Sequence, residues 1–187
     1  MRVGNYMIVV RRITEEPAAP VDGLCELLID AVDGGASVGF LAPLSYDAAA
    51  RYWEQVVASL DRGLYLWVAE LDGKVVGAVQ LEASAKENAR HRAEIQKLFV
   101  LRARRGRSIS SKLMSAAETF ADSIGRTLLV LDTQAGSVAE SVYRHLGWQR
   151  VGEIPDYAAS PDGRLLPTAY YYKRVGSSTT AESGAKR

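Results

Sequence analysis

The stretch with the clearest chemical potential is Val100-Leu101-Arg102-Ala103-Arg104-Arg105-Gly106-Arg107-Ser108-Ile109-Ser110. An apolar run ends here, and a helical pattern begins just beyond one glycine. The first N–H groups of such a helix have no intrahelical partner. With the helix macrodipole they form an anion site suited to a pyrophosphate. Arg102, Arg104, Arg105 and Arg107 add positive charge in a chain that is otherwise balanced. The same residues also read as a solvated basic turn. A nucleic-acid patch is disfavoured, because no aromatic residue is interleaved and no net charge supports it. The remaining reactive types are scattered. His91 and His145 lack ligand spacing, so no metal site is expected. Cys25 falls on an apolar helical stripe and reads as a packed thiol. Tyr170-Tyr171-Tyr172 reads as a late strand. The segment 154–167, with Asp156, Tyr157, Asp162 and Arg164, is long enough to be a lid loop.

The elements that must carry these residues follow from periodicity. Met7 to Ile13 predicts a strand. Val21, Leu24, Cys25, Leu28 and Val32 predict a helix ended by Gly34-Gly35, and Ala49, Trp53, Val56, Val57 and Leu60 a second one stopped at Gly63. Asp72-Gly73 between Leu64–Leu71 and Lys74–Ala83 is a hairpin signal. Arg92 to Leu101 predicts a strand whose alternation would set Glu94, Gln96, Leu98 and Val100 on one face. Ile109, Leu113, Ala116, Ala117, Phe120 and Ile124 stripe a helix up to Gly125. Thr127 to Leu131 reads as a buried central strand. Ser137-Val138-Ala139-Glu140 reads as a capping box opening a helix that ends at Gly147. Trp148–Gly152 and Ala169–Val175 would be the last strands. The order indicates an α/β (α+β) domain on a mixed sheet. Residues 176–187 hold no apolar side chain but alanine and are expected to be a disordered tail.

The whole chain has 187 residues, 23 Lys+Arg against 22 Asp+Glu, and a formal charge of +1. Its 48% apolar and 24% charged residues are ordinary for one globular domain, which at this size buries roughly 70% of its unfolded surface. No run approaches the roughly 20 apolar residues of a membrane span. Near-neutral charge argues against bulk attraction to nucleic acid or anionic lipid. One cysteine excludes internal disulfides, and Met1 to Tyr6 lack an apolar leader core. The expectation is a cytoplasmic protein acting on something small.

Arg105-Gly106-Arg107-Ser108-Ile109-Ser110 resembles the (Gln/Arg)-x-x-Gly-x-(Gly/Ala) signature of the GNAT superfamily of acetyl-CoA-dependent N-acetyltransferases. Val142-Tyr143-Arg144-His145-Leu146-Gly147-Trp148 resembles that superfamily's Leu-Tyr-x-x-x-Gly-Phe segment. Serine stands in two small-residue slots, Ser108 and Ser110, and Gly136 where asparagine is frequent. Residues 34–40, Arg92–Leu98, Leu131–Glu140 and Pro161–Leu165 are similar to blocks of the tabtoxin-resistance acetyltransferases, with kasugamycin-type aminoglycoside acetyltransferases nearby.

The resemblance implies a single domain over 1–175, with a central sheet of about seven strands and about four helices. It implies acetyl-CoA as cofactor, held by Leu98, Phe99, Val100, Arg105, Gly106, Arg107, Ser108, Ile109 and Ser110. Glu94 and Asp132 become the candidate bases, on adjoining strands where the sheet opens, and Tyr143 the proton donor to departing thiolate. Asp33, Phe40, Trp53, Asp156 and Tyr157 are implied for the acceptor cleft. The acceptor would be an amino (or hydroxyl) group of a small antibiotic or toxin, and the protein a monomer or homodimer. A degenerate coenzyme A- or drug-binding protein and a peptide N-acetyltransferase are the alternatives. Ser108 separates two local geometries. A positive φ would cost serine roughly 1 kcal/mol against glycine, whereas a helix-like loop, the geometry expected, would leave its amide free at no such cost.

Overall fold

The computed structural model describes residues 7–14 and 20–176. The tail expected over 176–187 falls, apart from Gly176, outside them. Among the described residues seven strands form one sheet: β1 (Ile8–Ile13), β2 (Leu64–Leu71), β3 (Lys74–Ala83), β4 (Arg92–Val100), β5 (Leu128–Gln134), β6 (Gln149–Ala159) and β7 (Leu165–Arg174). Four helices flank it: α1 (Val21–Asp33), α2 (Tyr46–Ala58), α3 (Ile109–Ser123) and α4 (Val138–His145). The spatial order is β1-β2-β3-β4-β5-β7-β6. Every neighbouring pair is antiparallel except β4 with β5. This is the mixed α/β sheet expected, with the expected numbers of strands and helices. Among the described residues no helix is long and apolar enough to cross a membrane.

Two cores result from strand alternation. Leu66 and Val68 of β2, with Ala78 of β3, face α1 and α2, where they meet Leu24, Leu28, Trp53 and Val56. Trp67 and Ala69 of β2, with Val79 and Leu81 of β3, face α3. The α3 stripe docks there through Ile109, Leu113, Met114 and Ala117, all 1% exposed or less. Burying a side chain such as Leu113 contributes about 1.5–3 kcal/mol, which outweighs the modest intrinsic helix propensity of its Ser-rich first turn. The approach of α3 is close. A Cβ on Gly77 would lie 2.9 Å from Ile109 Cγ2 and 2.9 Å from the Phe99 carbonyl oxygen.

Three local expectations are corrected. The segment 154–167 is no lid loop. β6 runs to Ala159 and β7 starts at Leu165, so only a tight turn separates them, closed by Ser160 N–H donating to the Arg164 carbonyl (2.8 Å). Ladder pairing to β7 supplies bonds that propensity alone did not predict for a Pro-containing stretch. The capping box is half formed. Glu140 reaches back, but to the Gly136 N–H at 2.6 Å, and the Ser137 hydroxyl makes no capping bond. The face expected for Leu98 and Val100 is also wrong. Gln80 pairs with Gln96 but Ala78 with Phe99, so Val79 stands opposite two residues, Lys97 and Leu98. Lys97 takes φ +52° in this bulge. One extra residue inverts the alternation beyond it. Phe99 therefore joins the α1/α2 core on Glu94's side, while Leu98 and Val100 pack toward α3.

Candidate active site

The site begins where the parallel ladder ends. β4 and β5 pair only at Arg92↔Leu128, Ala93↔Leu129 and Glu94↔Val130. Beyond that β4 stays paired to β3 as far as Val100, and β5 stays paired to β7 as far as Gln134. Two strands held by opposite neighbours diverge, and a cleft opens between them. Glu94 stands at its apex and Asp132 two residues along the other lip, as the sequence implied.

Glu94 is half-buried. Gln96 Nε2 donates to Glu94 Oε1 at 3.1 Å and to Glu82 Oε2 at 2.8 Å, so one amide bridges two carboxylates facing each other across β3 and β4. Burial first, and then the nearby Asp132 charge, hold the Glu94 carboxyl above its ordinary range despite that hydrogen bond. Asp132 is also raised by crowding from protein, while Lys97 opposes the shift. Lys97 is the residue the bulge inserts on this face. Its Nζ donates to the Val38 carbonyl at 2.8 Å, in the loop between α1 and α2. Burial lowers its ammonium; Asp132 and Glu94 work against that.

Tyr143 projects from α4 into the α3-side core, 6% exposed, with its ring 6.2 Å from Trp148 and 6.1 Å from Tyr171. Burial, then the Asp132 charge, push its phenol far above the ordinary value. Glu140, one turn earlier and 6% exposed, accepts from the Tyr171 hydroxyl, Gly136 N–H and Arg150 Nε. Burial disfavours its charge, yet these three donors together hold its carboxyl below the usual range. The network fixes the start of α4 and hence the direction of Tyr143.

At the far end of β4 the loop into α3 has Gly106 at φ +75° and Ser108 at φ +58°, ψ +19°. Ser108 thus adopts the left-handed geometry, not the helix-like one expected. The buried Ile109 behind it pins the turn, and the cost is roughly 1 kcal/mol for a residue with a Cβ. No hydrogen-bond acceptor among the described residues meets the N–H groups of 106–110. They form an anion nest at a helix N-terminus. Arg104, Arg105 and Arg107 surround it, exposed and without ion pairs among the described residues. Arg102 does not join them. Its Nε and N–H both donate to the Asp30 carboxylate at 2.9 Å, tying the loop to α1.

The residues expected around the acceptor are dispersed. Phe40 sits edge-on to Tyr52, with centroids 5.3 Å apart, and Gln80 Nε2 donates to the Tyr52 hydroxyl at 3.0 Å. These stand on the Glu94 face of the sheet. Burial pushes the Tyr52 phenol up to about 12. Trp53, one residue on, is fully buried in the α1/α2 core, its Nε1 without a partner among the described residues and its ring edge-on to Tyr52 with centroids 5.0 Å apart. Tyr157 meets Tyr170 edge-on at 5.8 Å, and Tyr170 is the ladder partner of Asp132. Asp156 lies exposed beside Tyr157, at φ +50° in a register break of β6. Asp33 lines a separate crevice of about 500 Å³ with Gln134 and the turn after Ser160. A larger groove, of about 730 Å³ between β1 and α3, offers Lys112 as its one ionisable side chain.

Tyr52, Gln80, Gln96, Lys97 and Tyr170 belong to the cleft but were missed from the sequence. Gln80 had a visible signal, one polar residue inside the apolar run Val75 to Leu81. Gln96 shared the alternation that set it on Glu94's face. The other three carried no signal, because a bulge and a cross-sheet meeting leave no local periodicity.

The chain is similar to known proteins. The profile of the Acetyltransferase (GNAT) family matches residues 28–148. An uncharacterized N-acetyltransferase from the hisH-hisA intergenic region of Azospirillum brasilense is 31% identical over 129 residues, 68% of this chain and 76% of its own length. Among solved structures, an N-acetyltransferase from Staphylococcus aureus Mu50 superposes with a TM-score of 0.75 at 18% identity, covering 90% of this chain and 98% of the other. A phosphinothricin acetyltransferase from Sinorhizobium meliloti, solved with acetyl-CoA, gives 0.74 at 20% identity over 92% and 90%. These structural likenesses establish the fold. The profile and the bacterial relative establish more: the chain belongs to the Acetyltransferase (GNAT) family, and acetyl-CoA is its cosubstrate as an N-acetyltransferase.

Proposed function

We propose that the protein acetylates a primary amine on a small molecule, an antibiotic or toxin of the tabtoxinine β-lactam or kasugamycin type. The observation that carries this reading is the pair of carboxylates on the two lips of the parted β4–β5 ladder, with a buried phenol behind them. An amine of pKa near 9 is about 1% neutral at pH 7, so its deprotonation costs roughly 2.7 kcal/mol. Glu94 or Asp132, directly or through a water, takes that proton, and the raised carboxyl values bring base strength nearer to working pH. Acetyl-CoA supplies the thioester. The nest of 106–110, with Arg104, Arg105 and Arg107, would hold its phosphates, and β4 beyond the bulge would align its thioester arm. As the new C–N bond forms, the C–S bond breaks, and Tyr143 donates its proton to the sulfur.

A small acceptor is favoured over a protein chain by the bridge across the acceptor side. The Ser37 hydroxyl donates to the Ala159 carbonyl (3.2 Å), and Ala42 N–H to the Pro161 carbonyl (2.9 Å). These bonds join the α1–α2 loop to the β6–β7 hairpin and narrow any groove a peptide would need. The test is thiol release from acetyl-CoA with an amine panel holding tabtoxinine β-lactam, kasugamycin and an N-terminal peptide. A small amine should turn over, and Glu94→Gln, Asp132→Asn or Tyr143→Phe should each lower kcat, by about 10²-fold or more for the residue that is the base. Tight acetyl-CoA binding with no thiol release for any amine would instead identify a binding protein.

A further inference from the structure

Lys97 is the one cation that the β4 bulge delivers to the carboxylate face of the cleft. Without the bulge, position 97 would point with Ile95 into the α3 core. With φ +52° it turns instead toward the α1–α2 loop, and its Nζ meets the Val38 carbonyl at 2.8 Å. Residues 34–45 hold no charged side chain, so the loop offers Lys97 no counter-charge. The charged neighbours that act on it are Asp132 from β5 and Glu94 from β4 itself. Glu82 of β3 and Arg92 of β4 act on Glu94, and the charges of both carboxylates raise the Tyr170 phenol of β7. Both carboxylates favour the Lys97 ammonium, and Lys97 in turn favours the charge of Asp132.

We propose that Lys97 is a positioning residue with two tasks: it ties the α1–α2 loop over the acceptor side, and it supplies the positive charge that faces the carboxylates on the lips of the cleft. Its effect on turnover rests on the acetyl-transfer reading above; the loop tie and the counter-charge do not. In the transfer, Lys97 keeps its proton throughout.

The variants are Lys97→Met, Lys97→Gln and Lys97→Arg in the full chain. Carbon-detected NMR titration of the carboxyls should show Asp132 titrating at higher pH in Lys97→Met and Lys97→Gln, and near its wild-type position in Lys97→Arg. Amide hydrogen exchange over 36–41 should rise about tenfold in Lys97→Met, the equivalent of one hydrogen bond from a charged donor. It should rise less in Lys97→Gln, which retains a donor for Val38. With an active acceptor, Lys97→Met should raise the acceptor KM and move the acid limb of the kcat/KM profile, and Lys97→Arg should restore both. Unchanged Asp132 titration with unchanged exchange in the neutral variants overturns the proposal. Wild-type protein inert toward every amine would sink the acetyl-transfer reading alone, since titration and exchange need no turnover. Should Lys97→Met not fold, Lys97→Gln carries both readouts.

Discussion

Gly77→Ala probes the link between packing and cosubstrate binding. The added methyl would sit 2.9 Å from Ile109 Cγ2, 2.9 Å from the Phe99 carbonyl oxygen and 3.0 Å from Leu113 Cδ1. Carbon contacts are optimal at about 3.5–4.0 Å, so α3 must withdraw by about 0.5–1 Å. The alternative, moving the Phe99 carbonyl, disturbs the β3–β4 ladder at the bulge. Neither neighbour is at the end of a solvent-exposed side chain, as Ile109 and Leu113 are 1% and 0% exposed. Overpacking of this kind costs about 1–3 kcal/mol, or about 2–12 °C in Tm for a chain of this size. Ile109 also opens α3, so withdrawal displaces the amides of 106–110 from their common focus. Weakening one charge-assisted hydrogen bond by about 1.4 kcal/mol would raise the Kd for acetyl-CoA about tenfold. Thermal unfolding followed by circular dichroism reads the first effect and calorimetric titration the second. Gly152→Ala is the control, because a Cβ there has nothing within 4 Å. A Gly77→Ala protein with wild-type Tm and wild-type acetyl-CoA affinity would refute the reasoning.

Three other outcomes are expected. Glu94→Gln should raise Tm at neutral pH while lowering activity. Burial raises the folded-state pKa of Glu94, so its charge opposes folding above that pKa, and the gain should vanish as pH falls through it toward the unfolded value; an unchanged Tm at pH 7 contradicts this. Trp53→Phe should leave the acceptor KM unaltered, because the ring lies in the core, and should cost little stability because it also removes a buried unpartnered N–H; a KM shift would place Trp53 at the acceptor. Ser108→Val should lower Tm by about 2–8 °C, as a β-branched residue pays about 1–2 kcal/mol at positive φ, whereas Ser108→Gly should be at least as stable as the parent; equal melting of the two would deny the left-handed turn.

Glu94, Asp132 and Tyr143 each lie in a block of residues whose neighbours constrain it; the parted strands then set Glu94 and Asp132 on the two lips of one cleft, while Tyr143 lies in the α3-side core. The hairpin at Asp72-Gly73 and the α3 stripe were legible for a simpler reason: turn chemistry and a 3.6-residue period are local. The apolar stripe put Trp53 among the core residues, where the structure has it; its place at the acceptor came from the resemblance alone, because a stripe states that a residue is buried and not what lies beside it. Asp30 capturing Arg102 was invisible for a like reason, as 72 positions separate the partners.

The amino-acid order by itself determined most of the elements, the basic strand–helix junction and the near-neutral charge around it, since those rest on composition and on neighbours a few residues apart. The tertiary structure decided what a single inserted residue does. The bulge at Lys97 exists only because β4 must pair with β3 over Val79, and the same pairing turns Phe99 and Lys97 toward the cleft and Leu98 away from it. The left-handed turn at Ser108 likewise exists because Ile109 must reach the α3 core. Both are backbone conformations disfavoured locally, and only contacts from distant segments compensate their cost.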